Sequence, residues 1–228
     1  MIKYTSPADD SYLYERNYFD EHYLNDPKRE AMYKQEYKRI CELRPDGGFV
    51  LDVGCGNGAF LEIFSDRWKK FGYEPSDFAR EAAIKRGVTA IRGIHAMESC
   101  SMEVVIFRGT LQHIGTPMQT LLQAMRVLVP GGLLVILATP DTDSIVYKIW
   151  GDLPALEPAR NWVLFGHKNF TNILRRLGLE VIKINHPYWG TPYARPLADA
   201  IKFIWSLFFG FRKFAWPGNM MEIYAVKK

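Results

Sequence analysis

The segment LDVGCGNGAF, from Leu51 to Phe60, indicates a strand that ends in a glycine turn and continues as a helix. The apolar residues before the turn suit a strand that is buried on both faces. Gly54, Gly56 and Gly58 allow the backbone to turn sharply and to approach a ligand closely. The free amides of the helix's first turn would face that ligand. The segment therefore predicts a site for a nucleotide-type cofactor.

The charge of this segment bears on which cofactor it binds. Gly54, Gly56 and Ala59 satisfy the pattern G-x-G-x-x-G/A of dinucleotide sites, with Glu74 about twenty residues further on. Asp52 opposes a dinucleotide, because a carboxylate before the first glycine repels a pyrophosphate and attracts a cation. S-adenosylmethionine carries an ammonium and a sulfonium and has no phosphate. The sequence therefore favours this cationic cofactor.

Two motifs carry a resemblance to a known family. Asp52, Gly54, Gly56 and Gly58 match D-x-G-x-G-x-G, and this string resembles the first motif of class I S-adenosylmethionine-dependent methyltransferases. A helix, the sequence PGG at 130–132 and an apolar strand form a second match. The layout that follows is similar to the ubiquinone-methyltransferase-like group. The resemblance implies a Rossmann-like, doubly wound α/β fold, with a seven-stranded, mostly parallel sheet, helices on both faces and an antiparallel last strand.

Composition limits the class of protein. Of 228 residues, 48% are hydrophobic and 24% charged, which indicates a globular protein with a substantial core. The net charge of +4 is mild and no aromatic RNA-binding motif is present, so we expect no nucleic-acid partner. The three cysteines match no metal-ligand spacing and indicate a reducing compartment. Since the N-terminus has no apolar signal region, we predict a cytoplasmic protein.

The chain divides into a cap and a main domain. Residues 1–45 are predicted to form an N-terminal helical cap, and residues 46–228 the cofactor-binding methyltransferase domain. Within that domain, 141–170 reads as a long irregular substrate loop and 188–219 as a hydrophobic insertion.

The insertion has an unusual pattern at 192–217. Its polar residues Asp199, Lys202, Ser206 and Lys213 fall on one narrow stripe at helical spacing, and most other positions are apolar. The stretch is too short to span a bilayer. Three interpretations remain open: a buried lid over the substrate, a homodimer contact, and a helix peripheral to the inner membrane face. Packing or oligomerisation is favoured over membrane contact, because apolar stripes are usually core.

The resemblance also implies site residues. Glu74 would accept hydrogen bonds from the ribose hydroxyls, and Ile94 and His95 would cover the adenine. Tyr14, Tyr18 and Arg29 are candidates for the methionine carboxylate. The full set of expected cofactor-binding residues is Asp52, Gly54, Cys55, Gly56, Gly58, Glu74, Pro75, Ile94, His95, Arg108, Gly109, Tyr14 and Arg29.

Methyl transfer mainly requires alignment of the reacting atoms and exclusion of water, but a hydroxyl acceptor also benefits from a base. His113 is the first candidate, because it follows the fourth strand at the mouth of the site, and His167 is the second. His95 is the third. Leu111 and Gln112 offer none of the charged oxygen ligands that Mg²⁺ prefers, so we predict no metal.

The acceptor is a small molecule whose identity the motifs leave open. The opening YFDEHY and the ending PGNMMEIYAVKK look similar to methyltransferases encoded with bacterial surface-polysaccharide pathways. This resemblance implies a sugar hydroxyl, on a nucleotide- or lipid-linked precursor. The aromatic residues Trp150, Trp162, Tyr188, Trp189 and Tyr193 suit stacking on a sugar and equally on a quinone-like acceptor. An NAD-dependent reductase and a non-catalytic cofactor-binding protein are the alternatives from other classes.

Overall fold

The computed structural model describes residues 3–4, 26–157, 160–210 and 213–228. Strands and helices alternate along most of this chain. The strands are β1 (Lys3–Tyr4), β2 (Gly48–Val53), β3 (Trp68–Tyr73), β4 (Thr89–Ala90), β5 (Met102–Arg108), β6 (Leu128–Pro140), β7 (Val163–Leu164), β8 (Leu179–Asn185) and β9 (Met220–Lys227). The helices are α1 (Pro27–Leu43), α2 (Ala59–Glu62), α3 (Asp77–Lys85), α4 (Pro117–Val127), α5 (Ile145–Trp150), α6 (His167–Arg176) and α7 (Pro196–Phe209).

Seven strands form one sheet in the order β4-β3-β2-β5-β6-β9-β8. The neighbouring pairs from β4 to β6 are parallel, and β9 runs antiparallel to both β6 and β8. The order of the strands along the sheet reverses direction beside β2, because β3 and β4 lie on one side of it and β5 and β6 on the other. The crossover connections on the two sides therefore diverge and leave a crevice at the carboxyl ends of β2 and β5. The predicted fold, including the antiparallel last strand, is confirmed.

The core lies on both faces of this sheet. Successive strand residues point to opposite faces, and Val50 and Leu51 accordingly enter two different hydrophobic clusters. Val104 and Val105 of β5 divide in the same way. Burial on both sides explains why the central strands are apolar at nearly every position.

The glycine turn after β2 is required by close packing. Gly54 has a φ of +80°, and a Cβ on it would lie 2.4 Å from Cγ2 of Thr110. A Cβ on Gly58 would lie 2.9 Å from Cα of Ala83 in α3. The first glycine therefore lets the loop approach the end of β5, and the third lets α3 pack against the loop.

The prediction that 141–170 is an irregular loop is wrong in part. This segment contains α5, which Ser144 caps by accepting a hydrogen bond from the backbone N–H of Tyr147 (3.2 Å), and β7, which pairs with β1. Helix α6 also begins inside it, at His167. The six residues of α5 and the two of β7 are too few for a periodic apolar pattern to reveal them.

Helix α7 has its polar side inward. Asp199 and Ser206 are buried, whereas Ile201, Trp205 and Phe208 are exposed. The interpretation of this segment as a buried lid, with its apolar stripe in the core, is therefore wrong. Among the described helices, none is long and apolar enough to cross a membrane.

Candidate active site

A cavity of about 700 Å³ opens over the glycine turn, at the carboxyl ends of β2, β3 and β5. It lies in the crevice where open parallel sheets bind ligands. The structure brings eight of the predicted cofactor residues to its wall: Gly54, Gly56, Glu74, Pro75, Ile94, His95, Arg108 and Gly109. His113 also lines it.

Glu74 is held in place by two backbone amides. Its Oε2 accepts a hydrogen bond from Gly56 N–H (2.9 Å), and its Oε1 accepts one from Ser76 N–H (3.0 Å). Burial raises the pKa of Glu74 above its usual range, and these two bonds partly oppose the rise. Each carboxylate oxygen has a second lone pair, so the side chain is oriented to accept hydrogen bonds from a cis-diol in the cavity.

Asp52 lies behind the glycine turn and does not line the cavity, contrary to a direct ligand role. It is buried, and its Oδ1 has no hydrogen-bond partner among the described residues. Burial raises the pKa of Asp52 to about 7; Arg108 opposes the rise, and Glu74 and Glu36 add to it. Asp52 therefore carries its charge in the native protein mainly above about pH 7, where it can act on a bound cation from behind the turn.

Three other predicted cofactor residues also lie away from this cavity's wall. Cys55 packs under the turn, where a Cβ on Gly72 would lie 2.6 Å from its Sγ, and burial raises the pKa of its thiol. Gly58 packs against α3, as described above. Arg29 lines a different cavity. Tyr14 and Tyr18 lie outside the described residues.

A buried ion pair joins the cap helix α1 to this site. Arg108 Nε donates to Oε2 of Glu36 at 2.8 Å, and the Arg108 guanidinium lies 4.3 Å from the ring centre of Tyr33. Glu36 was missed by the sequence analysis, because an isolated glutamate in a helix usually faces solvent. The available signal was its position four residues from both Met32 and Ile40, on the apolar side of α1.

A second cavity, of about 300 Å³, adjoins the first and shares Arg108, Gly109 and His113 with it. Its wall is assembled from distant parts of the chain: α1, the loops around α5, and the segments on either side of α7. The lining residues include Arg29, Gln112, Tyr188, Tyr193, Trp216 and Asn219. The guanidinium carbon of Arg29 lies 5.8 Å from the ring centre of Tyr193.

Only some of the predicted acceptor aromatics reach the second cavity. Tyr188 and Tyr193 line it, whereas Trp150, Trp162 and Trp189 do not. Trp150 packs in the cluster around Phe214, and Trp162 and Trp189 are exposed. Trp216 and Asn219, which the sequence analysis did not select, take part in the wall instead.

His113 stands where the two cavities meet. Its Nδ1 lies 2.9 Å from the carbonyl oxygen of Arg160, and its Nε2 lies 3.3 Å from the amide Nε2 of Gln112. Because a carbonyl only accepts, Nδ1 is the nitrogen that carries the proton in the neutral ring. Nε2 then has the lone pair that a general base needs, and the Gln112 amide donates toward it.

His167 lies outside both cavities, so His113 is the better placed base. The Nδ1 of His167 is 2.6 Å from Oδ2 of Asp141, and His186 Nδ1 is 3.6 Å from the same oxygen. These three residues place ligand atoms within 4.8 Å of one another and could hold a metal ion. None of the three lines either cavity, so an ion there would not touch the reacting atoms. The absence of a metal stays a prediction.

Comparison with known proteins places the chain in a family. Residues 25–184 match the family model described as a methyltransferase domain. A curated relative, an uncharacterized 37.1 kDa protein in transposon TN4556 of Streptomyces fradiae, is 33% identical over 158 residues, which is 64% of this chain. The chain spans less than half of the length of the curated relatives that it matches: 44% of the Streptomyces fradiae protein and 13% of a second one.

Solved structures show the same fold at low identity. An S-adenosylmethionine-dependent methyltransferase from Archaeoglobus fulgidus superposes with a TM-score of 0.66 at 15% identity, over 93% of this chain and 100% of that one. The 1,6-didemethyltoxoflavin-N1-methyltransferase of Burkholderia thailandensis superposes with a TM-score of 0.59 at 16% identity, over 87% and 79%. The family match covers more than half of the chain and confirms the predicted methyltransferase family. The chain belongs to the methyltransferase domain family.

Proposed function

We propose that this chain transfers a methyl group from S-adenosylmethionine, bound in the first cavity, to a hydroxyl group of a sugar-like molecule in the second. S-adenosylmethionine is the donor: the chain belongs to a methyltransferase family, and its structural neighbours include proteins named as dependent on this cofactor and one with S-adenosylhomocysteine bound. The observation that carries the proposal is the junction of the two cavities at Arg108, Gly109 and His113.

The first cavity suits each part of the donor. The oriented carboxylate of Glu74 would accept from the ribose hydroxyls, and Ile94 and His95 would flank the adenine. The sulfonium would then lie toward Gly109, at the junction. Asp52 beneath the turn favours a cation there once its carboxyl is ionised. A dinucleotide would instead bring its pyrophosphate toward this carboxylate.

The reaction is an in-line displacement at the methyl carbon. The thioether leaves as a neutral group and needs no acid, so the chain's main task is to align the acceptor oxygen with the methyl–sulfur bond. His113 lines both cavities, and its Nε2 is the base that would take the hydroxyl proton once the acceptor hydroxyl replaces the Gln112 amide at its lone pair. The bond from Nδ1 to the carbonyl of Arg160 fixes the ring and stabilises the imidazolium that forms.

The second cavity combines aromatic rings with carboxamide groups. Tyr193 and Trp216 offer faces for stacking on a sugar ring. Oε1 of Gln112 and Oδ1 of Asn219 are buried and have no hydrogen-bond partner among the described residues. These oxygens only accept, so they favour an acceptor that carries several hydroxyl donors. A quinone-like acceptor, which offers fewer donors, is the second candidate because of the same aromatic rings.

Turnover with a labelled methyl donor tests this proposal. We expect label to reach nucleotide- or lipid-linked sugars, and we expect Asn219→Ala to raise KM for the sugar while leaving S-adenosylhomocysteine affinity unchanged. Asn185→Ala, outside both cavities, serves as the matched control. Label transfer to quinols alone would replace the sugar by the second candidate. Absence of transfer, combined with cofactor binding, would favour a non-catalytic binding protein.

The remaining expectations about place and partners belong to the same proposal. The cysteines Cys41, Cys55 and Cys100 are free, and their use fits a reducing compartment, so we propose the cytoplasm as the place of action. The modest net charge of +4 gives no reason to propose a nucleic-acid acceptor.

A further inference from the structure

The exposed side of α7 is the least expected surface of the described chain. It carries Leu197, Ile201, Ile204, Trp205, Phe208 and Phe209, all more than half exposed. Successive residues of a helix are rotated by about 100° around its axis. Seen along that axis, these residues and the exposed Leu207 occupy an arc of about 200°, with Leu207 at one edge and Phe209 at the other. Most surface helices bury their apolar side, and this helix exposes it.

The opposite side of α7 is held against the protein by hydrogen bonds of Asp199 and by stacking of the Phe203 ring. Asp199 Oδ2 accepts from the hydroxyl of Tyr188 (2.9 Å) and from the backbone N–H of Arg195 (2.8 Å). Phe203 stacks on Trp216 with ring centres 4.4 Å apart. The orientation of α7 is therefore specified by its own contacts, and the apolar face points outward because the polar residues hold the inner side.

We propose that this face lies in the surface of a bilayer that contains anionic lipid. The only acidic residue of α7 is the buried Asp199, while Arg195 and Lys213 are exposed beside the helix and Lys202 lies at the margin of the face. The exposed charge is therefore positive and complements anionic headgroups. Trp205 belongs to the residue type that prefers the level of the headgroups.

The shape of the face favours a bilayer over a second copy of the chain. Two packed helices cover one stripe of each other, roughly 100° wide, which would leave much of this face in water. Lipid surrounds a convex helix on every exposed side, and an apolar face of this kind lies at the boundary between headgroups and acyl chains. None of the described helices is able to cross the membrane, so the contact is peripheral.

Membrane contact has a consequence for the acceptor, which rests on the proposed function. Tyr188, Thr191 and Tyr193 precede α7 and Trp216 follows it, and all four line the second cavity. The wall of the acceptor cavity is thus attached to the helix that enters the lipid surface. This arrangement selects a lipid-linked sugar, whose polar part reaches the cavity while its tail stays in the bilayer.

Vesicle flotation tests the surface. We expect the wild type to float with phosphatidylcholine vesicles that contain phosphatidylglycerol. Ile204→Glu should lower the vesicle partition constant about tenfold, because it loses the burial of one large apolar side chain. Ile84→Glu is the matched control: Ile84 lies on α3 and is 52% exposed, against 56% for Ile204. We expect Lys202→Gln combined with Lys213→Gln to weaken binding only to the anionic vesicles.

Several outcomes would overturn the proposal. These are a wild type that stays unbound with anionic vesicles, equal losses in Ile204→Glu and Ile84→Glu, or a dimer without vesicle binding that Ile204→Glu converts to a monomer. Titration with S-adenosylhomocysteine separates this from the proposed function. The helix variants should bind it like the wild type, whereas a wild type that floats without binding it would overturn the function and leave the surface proposal standing.

Discussion

Replacing Asp52 with asparagine removes a buried charge and preserves the shape of the side chain. Burial raises the pKa of this carboxyl from 3.8 to about 7. Because one pKa unit corresponds to about 1.4 kcal/mol, the rise corresponds to about 4 kcal/mol of folding free energy. Since the native state favours the protonated acid, ionisation of Asp52 destabilises the native wild type.

The pH window follows from the two pKa values. Well below pH 4, both states of the wild type are protonated and the substitution removes no charge. Between about pH 4 and about pH 7, Asp52 ionises in the unfolded chain but keeps its proton in the native one, so native wild type loses stability relative to Asp52→Asn. We expect the difference in unfolding free energy to change by about 4 kcal/mol across this window and to be constant above it.

Urea denaturation at several pH values measures this difference directly. Asp66→Asn, at an exposed aspartate, is the matched control and should show no comparable trend. The same titration predicts function: binding of cationic S-adenosylmethionine should tighten in the wild type as Asp52 ionises near pH 7, and should not in Asp52→Asn. Parallel pH profiles of the two proteins, in stability and in binding, would refute the role assigned to this carboxylate.

Three further predictions concern the base, the turn and metal removal. His113→Asn should lower kcat by about 10²–10⁴ with little change in the Kd for S-adenosylhomocysteine, as measured by steady-state kinetics and calorimetry; an unchanged kcat would exclude a general base at this position. Gly54→Ala should lower the unfolding free energy by more than Gly87→Ala in the same urea assay. Both positions have a φ near +80°, but only the Cβ at 54 meets a neighbouring side chain, so equal losses would contradict the packing argument. Chelation with EDTA should leave methyl transfer unchanged, because Asp141, His167 and His186, the group among the described residues that could hold an ion, line neither cavity; activity restored only by added metal would show otherwise.

The sheet could be predicted because its signals are local. The apolar run before Gly54 and the glycine turn specify one strand–helix unit, and the sequence PGG at 130–132 marks another strand, although it lies inside β6 and not before it as predicted. Glu74 could be located for the same reason, since it directly follows the strand next to β2. Cofactor residues in open parallel sheets lie at strand ends, and strand ends are visible in the sequence.

The acceptor side could not be predicted, because it depends on contacts between distant residues. Trp216 and Asn219 line the second cavity with Tyr188 only because α7 folds back between them. The pairing of Glu36 with Arg108 likewise joins residues 72 positions apart. Neither periodicity nor spacing records such contacts.

Helix α7 shows a different limit. The sequence pattern correctly predicts the helical spacing of its polar and apolar residues, but it does not predict which side faces the protein. Apolar stripes usually enter the core, and here the hydrogen bonds of Asp199 and the stacking of Phe203 reverse that preference. The pattern alone indicates a two-sided helix, and only the tertiary contacts decide which side is exposed.

Calorimetric titration with S-adenosylhomocysteine, comparing the wild type with Glu74→Ala, tests the central assignment most directly. We expect the wild type to bind this product and not NAD, and Glu74→Ala to lose binding while remaining folded, because the ribose hydroxyls lose their acceptor. Binding of NAD without S-adenosylhomocysteine, or unchanged affinity in Glu74→Ala, would contradict the assignment of the cavity over the glycine turn as the donor site.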